Sequence, residues 1–529
     1  MKKFLAIIFL LSLATIFAQE KNPNVELPDF VILGRDVVSV RKVNKIEPDF
    51  IPTVSKDFLK PEYKTDQLGF VDFSNPEGTD LSLLDSAKYR RGFLELKAGR
   101  YQLPSGELNY TFPFTRGMLH GIVKGLNQTE YIDKSDRQFI QGSLDFIYSL
   151  PTDIKTLPGT KFSISGDHTN NYFKFYGSGE PGKKRTLNIG NAEIGIQNLY
   201  MKEFIFDLRS GGDFTYLDDD KFNEALTYSS AFAKLNLNNF GLEIKAIYQN
   251  QNLTTDSLTD KTTDYYLFRP MASFEILDKF MIGAGFTFSG SSGEYLNNIY
   301  ASFGVELAKN LVLLAEYSPH GEYITSGKLM RKNFYYNQQD FSRIFFQKKN
   351  YLTATLKYEY DKYYQIDGGV EYFSTDNIPF YINPDNSGIF KVTTGDATNY
   401  KLFLNLLYHL GPYGYLYSSI NYFNLENSDS KSIPYYPSFE GSLSYGYYFS
   451  KEWKAEAKLS YLGERFADIE NERKLDGFLL LGLKVDYNIE SNLRIFLELS
   501  NLLNAKPFIW EGYEEKPFDA AAGINFFFD

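Results

Sequence analysis

A large antiparallel β-barrel of the outer-membrane type is the fold class this sequence predicts, and three observations predict it. Segments of about 10 residues alternate apolar and polar side chains through most of the chain, as barrel strands with one lipid face and one wet face must. Beyond the N-terminus no apolar run reaches the roughly 18 residues that a membrane helix needs. Forty-seven Phe and 41 Tyr lift the aromatic content to 17%, while mean hydropathy stays at −0.32. A barrel wall, apolar at every second position only, reconciles abundant aromatics with low mean hydropathy.

Bulk composition narrows the chemistry. The chain has 529 residues, a net charge of −11, no cysteine and four histidines. Without cysteine there are no disulfides, no thiol nucleophile, no cysteine-ligated metal and no cysteine for lipid attachment. An acidic balance without a basic stripe argues against a nucleic-acid partner.

Met1-Lys2-Lys3 followed by the apolar run Phe4 to Phe17 reads as a secretory signal peptide, residues 1–18, cleaved ahead of Gln19. Export without a lipid anchor, joined to a barrel pattern, predicts the outer membrane of a two-membrane bacterium. Residues 19–89 carry Pro23, Pro28, Pro48, Pro52, Pro61 and Pro76 and little alternation. Proline removes ladder donors and fixes φ, so this segment is expected to be an extended periplasmic or lumenal arm. Within it Glu26 to Arg35 holds a Val/Ile/Leu centre that reads as one strand, either of the arm itself or paired with a partner.

The barrel is expected over residues 90–529. Leu94, Leu96 and Ala98 alternate with Glu95, Lys97 and Gly99. Ala231 to Leu237, Leu242 to Tyr248, Ala301 to Leu307, Leu352 to Tyr360 and Trp453 to Tyr461 repeat the pattern. Their polar faces mix charges with small residues, as a water-filled lumen would and a sandwich core would not. Ten tight reversals fall near residues 113–115, 151–158, 200–202, 238–239, 278–279, 308–309, 361–362, 410–412, 450–451 and 489–490. Eleven longer connections fall near 101–105, 126–135, 166–186, 217–226, 250–263, 289–295, 319–349, 374–397, 425–433, 464–473 and 502–518. Short periplasmic turns, longer outer loops and an even strand number then give 22 strands, or 20 if one hairpin is misread among the first six. A barrel of that size needs its lumen filled to avoid a leak.

The closing segment carries the most specific residues. Leu499-Ser500-Asn501-Leu502-Leu503-Asn504, Trp510-Glu511-Gly512-Tyr513 and the terminal Gly523 to Phe528, with Ile433 to Glu440 and Leu459 to Arg465 before them, resemble the barrel of TonB-dependent receptors. The resemblance is specific over roughly the last hundred residues and one of pattern before that. It implies uptake or binding of a solute at the cell surface. It also implies that Leu27, Phe30, Val31, Ile32 and Leu33 lie where the family carries its energy-coupling box. The family's full globular plug is not expected, since Arg35 is followed by too few residues before the first strand; the chain reads as a plug-less or plug-reduced relative. The alternative is therefore a non-transporting outer-membrane barrel closed by its own arm, helped by long loops, or by a partner protein.

The expected partners are outer-membrane lipid and lipopolysaccharide, the assembly machinery through the C-terminal strand, and either TonB or a separate plug-like protein. Lys328, Arg331, Lys332, Tyr335, Tyr336 and Arg343 in the seventh loop combine cations with rings. They suit an anionic or glycan ligand by charge and stacking; the plainer reading is contact with lipopolysaccharide phosphates and an aromatic interfacial girdle. Asp218-Asp219-Asp220 is a solvated turn or a calcium-binding one. His120, His168, His320 and His409 are scattered, and Ser318-Pro319-His320 lacks a catalytic partner. No enzyme activity and no cofactor are expected.

Overall fold

The computed structural model describes residues 90–218, 221–255, 258–276, 279–337, 344–360, 364–409 and 414–528. The signal peptide, the arm 19–89 and the Leu27–Leu33 segment lie outside them.

One antiparallel sheet of 23 strands contains the barrel, and one of the 23, the short strand His320–Ile324, leaves the wall. Twenty-two strands therefore close the cylinder, the number expected from the turn count. Closure is made by the first strand, Gly92–Gly99, against the last, Asp519–Phe528, in unbroken register from Gly92↔Phe528 to Gly99↔Ala521. Each other wall strand pairs with its sequence neighbours, so every internal ladder is satisfied without an open edge, as a bilayer demands. Among the described residues no helix is long and apolar enough to cross a membrane.

Alternation sorts the side chains as expected. Ile140, Leu144, Ile194 and Phe286 point outward and are exposed to lipid. The inner positions carry cross-strand ion pairs: Lys97–Glu498 at 3.0 Å, Glu107–Lys124 at 2.8 Å and Lys234–Glu243 at 2.9 Å. Glu107–Lys124 and Lys234–Glu243 are directly opposed on neighbouring strands and stabilise the register, while Lys97–Glu498 spans the intervening last strand. Leu144 sits mid-strand in Arg137–Ser149 with 56% of its surface exposed. Leu144→Arg is therefore expected to cost about 2–4 kcal/mol, because it desolvates a charge near the bilayer midplane. Urea unfolding in liposomes should show that loss, with little change for Gln141→Lys on the opposite face.

Several outer connections are shorter than the sequence predicts. The hairpin Phe240–Thr255 with Leu258–Ile276 reaches through residues expected at 250–263. Tyr364–Ile382 and Lys391–His409 leave only 383–390 of the expected 374–397. Just after the first outer connection, Pro104 lies inside Gln102–Phe114, where the register against Gly117–Gln128 shifts between Gln102 and Ser105. Above the membrane both faces of a strand are free of lipid. Its polarity then follows what packs inside, and the alternation used to recognise strands disappears.

Candidate functional site

The outer end of the barrel is closed by its own chain. After Tyr317 the wall strand breaks at Ser318-Pro319, where proline offers no donor to the ladder. His320–Ile324 pairs with the start of Ile344–Tyr360, from His320↔Lys348 to Ile324↔Ile344. It leans inward onto the strands Leu258–Ile276 and Phe280–Ser291. The Tyr265 hydroxyl donates to the Gly321 carbonyl at 2.8 Å, and the Gly321 N–H donates to Ser289 Oγ at 2.9 Å. Glu322 lies 2.8 Å from Lys348 Nζ and 3.4 Å from His320 Nε2.

A short helix, Ser326–Lys332, continues the infolded segment. Thr325 caps it by accepting from Lys328 N at 3.2 Å. Glu224, on the wall strand Asn223–Leu237, reaches across to accept from Ser326 N at 2.8 Å and Gly327 N at 2.9 Å. Gln251 Nε2 donates to the same carboxylate at 2.6 Å, and the Tyr323 hydroxyl donates to Gln251 Oε1. Glu224 is 3% exposed; burial pushes its carboxyl above the ordinary glutamate range, opposed by the bonds from Gly327 N–H, Gln251 and Ser326 N–H. A side chain at 327 would place Cβ 2.3 Å from Thr215 Oγ1 and 2.8 Å from Glu224 Oε1, which leaves glycine as the residue that fits.

Further ties reach the strands Tyr364–Ile382 and Lys184–Asn198. Tyr381 donates to the Leu329 carbonyl at 2.6 Å, and Arg185 Nη1 donates to the Tyr336 carbonyl at 2.5 Å. Tyr336 bridges to Phe390, whose N–H donates to the Tyr335 carbonyl at 3.1 Å. The loops 383–390, 427–438, 463–477 and 501–518 fill the rest of the mouth. Trp510 meets Tyr381 and Tyr435 at 5.0 Å and Phe390 at 5.3 Å between ring centroids. Tyr513, fully buried, donates to the Gly388 carbonyl at 2.7 Å. Arg473 clasps three loops, with Asp468 at 3.2 Å, Glu511 at 2.8 Å and a bond to Asn386. Burial pulls the Asp468 carboxyl up, but the backbone N–H groups of Glu472 and Arg473 and the Arg473 guanidinium outweigh it and hold it below the ordinary aspartate range.

The ligand residues expected in the seventh loop are divided by this closure. Lys328 is half-buried and donates to the Tyr323 carbonyl at 3.1 Å. Arg331 and Lys332 end the helix, and Lys332 is exposed with Nζ 4.3 Å from the Tyr436 ring. Tyr335 stacks on Tyr513, and Tyr336 is buried. Arg343 lies outside the described residues. Asp218 accepts from Thr186 N at 2.7 Å, while Asp219 and Asp220 are also outside them. Among the described residues no group of three or more acidic or histidine side chains is placed to hold a metal.

The residues that hold the mouth shut, Glu224, Gln251, Arg185 and Tyr381, carry no motif. Trp510 and Tyr513 stood out in the sequence, but as marks of resemblance rather than as parts of a closure.

A closed 22-stranded wall with short turns at one end and long loops at the other is an outer-membrane β-barrel. No protein-family model matches the chain, and no curated protein matches it. Solved structures do. The siderophore receptor PiuA from Acinetobacter baumannii aligns over 83% of this chain and 82% of its own at 11% identity, with a TM-score of 0.61. The copper transporter OprC aligns over 83% and 80% at 12% identity, with a TM-score of 0.62. The FrpB iron transporter from Neisseria meningitidis aligns over 84% and 82% at 11% identity, with a TM-score of 0.64. At such identities the likeness is one of fold, the fold that the closing residues of the sequence led us to expect.

Proposed function

We propose that the chain is a TonB-dependent-receptor-like barrel of the outer membrane, binding or taking up a solute at the cell surface through a gated outer mouth. The observation that carries this reading is the infolded segment 320–337. It is tied over the lumen by Glu224 and Arg185, two strands apart on one side of the wall, and by Tyr381 on the strand Tyr364–Ile382. Receptors and transporters of siderophores, iron and copper share the architecture, which favours transport over catalysis. Outer-leaflet lipid and lipopolysaccharide are the natural surroundings of the aromatic lipid face, and the strand ending at Phe528 is the natural handle for assembly.

A second reading is a barrel that does not transport. The density of the closure favours it: Phe175, Leu217, Phe222 and Phe390 are fully buried in one apolar cluster. Pull-down on the energy-coupling protein, with and without Glu26–Arg35, separates the readings. Loss of capture on deletion supports coupled uptake through Leu27 and Phe30 to Leu33, and equal recovery removes that role.

A further inference from the structure

The tip of the infolded segment, Phe334-Tyr335-Tyr336, ends in a cage of rings contributed by other parts of the chain. The Tyr335 ring lies 3.4 Å from the Tyr513 ring at an interplanar angle of 16°. Its edges meet Phe173 at 5.8 Å and 88°, Phe175 at 6.1 Å and 62°, and Tyr176 at 6.2 Å and 89°. One stacked face and three edge contacts enclose a flat ring, and the edge contacts are the geometry in which aromatic quadrupoles attract. A pyranose chair is too thick for that spacing.

The cage walls are fixed without Tyr335. Tyr513 is held by Gly388, and Tyr176 donates to the Glu514 carbonyl at 2.8 Å. Two guanidinium groups border the slot. Arg137 lies 4.5 Å from the Phe334 ring and donates through Nε to Asn171 at 2.9 Å, while Arg185 donates to the Tyr336 carbonyl.

We propose that this cage is a binding site for a planar aromatic ligand carrying acceptor oxygens, and that Tyr335 occupies it as a built-in surrogate while the mouth is closed. The incoming ring takes the face of Tyr513, and its oxygens take the Arg185 donor that the Tyr336 carbonyl gives up when the segment is displaced, in low-dielectric surroundings. Tyr335 and the infolded segment are one piece of chain, so displacing the ring loosens the closure. Ligand affinity is then lowered by competition with a tethered group, whose effective concentration is of millimolar order. The proposal gives the gated-uptake reading its ligand class. It is tested by binding in detergent, without a membrane or a gradient, so its failure is separate from any failure of transport.

The probe is 2-naphthoate, titrated by its own fluorescence into the full purified chain, with heat-modifiable gel mobility confirming a folded barrel. Tyr335→Ala is expected to bind at least about tenfold more tightly than the parent. Tyr335→Phe keeps the slot filled and should bind no more tightly than the parent. Tyr335→Ala with Tyr513→Ala should lose the gain. Equal binding across all four chains, no binding to a folded Tyr335→Ala chain, or preference of that chain for maltose over naphthoate would overturn the proposal.

Discussion

Replacing residues 320–337 with a short Gly–Ser linker is expected to turn a closed barrel into a conducting one. The wall does not depend on that segment. Leu311–Tyr317 pairs directly with Ile344–Tyr360, from Leu311↔Tyr358 to Tyr317↔Leu352, so the cylinder stays closed laterally when the infold is removed. What is lost is the bridge across the mouth, together with the core that Leu329, Met330 and Tyr336 complete. Barrels of 16 to 18 strands already enclose an aqueous channel, so a 22-stranded wall without its bridge should pass ions roughly tenfold faster or more. Planar-bilayer recordings on four chains settle where the seal lies: the parent, the excision, the deletion of 19–89, and both together. Conductance that rises on excision alone places the seal in the infolded segment. Conductance that needs both changes places two seals in series. Silence in all four removes the gate and favours a barrel that does not transport.

Glu224→Ala is the single substitution expected to have the largest effect on the closure. It leaves Ser326 N–H, Gly327 N–H and the Gln251 amide without their acceptor in a buried site. Hydrogen bonds to a charged group contribute about 1.5–3 kcal/mol each and do not add fully, so a loss on the order of 3 kcal/mol is reasonable. That shifts the closed-to-open ratio by about a hundredfold, since each 1.4 kcal/mol is a factor of ten. The change is local. Amide exchange at Ser326 to Asn333 should accelerate while the wall strands keep their protection, and brief conducting events should appear in bilayers. Glu224→Gln retains one acceptor oxygen and should fall between the two. Exchange at Ser326 and Gly327 that matches the parent would remove Glu224 from the latch.

The wall was legible because its rule is local. Lys234 and Glu243 could be assigned to a wet face from their own strands, since alternation against lipid is imposed on every residue within the bilayer. The ten turns and eleven loops likewise follow from where that alternation stops. Above the membrane the rule lapses. Asn250 to Thr255 read as loop because both faces had turned polar, yet they continue a strand whose inner residues, Gln251 and Leu253, are buried by the infolded chain.

The loop cations and rings were recognised as a group, but the sequence placed them facing outward. Tyr335 and Tyr336 instead fill the closure, and the partners that hold them come from positions 173–185, 381–390 and 513, far apart in the chain. By itself the sequence determined the strand count and the lipid and lumen faces. Each of these is set by residue type within a segment of about ten residues. Only the tertiary structure decided that the seventh loop turns inward and where it is tied. That outcome depends on a carboxylate at 224, a glycine at 327 and a ring at 513 meeting in space, and no periodicity along the chain records such a meeting.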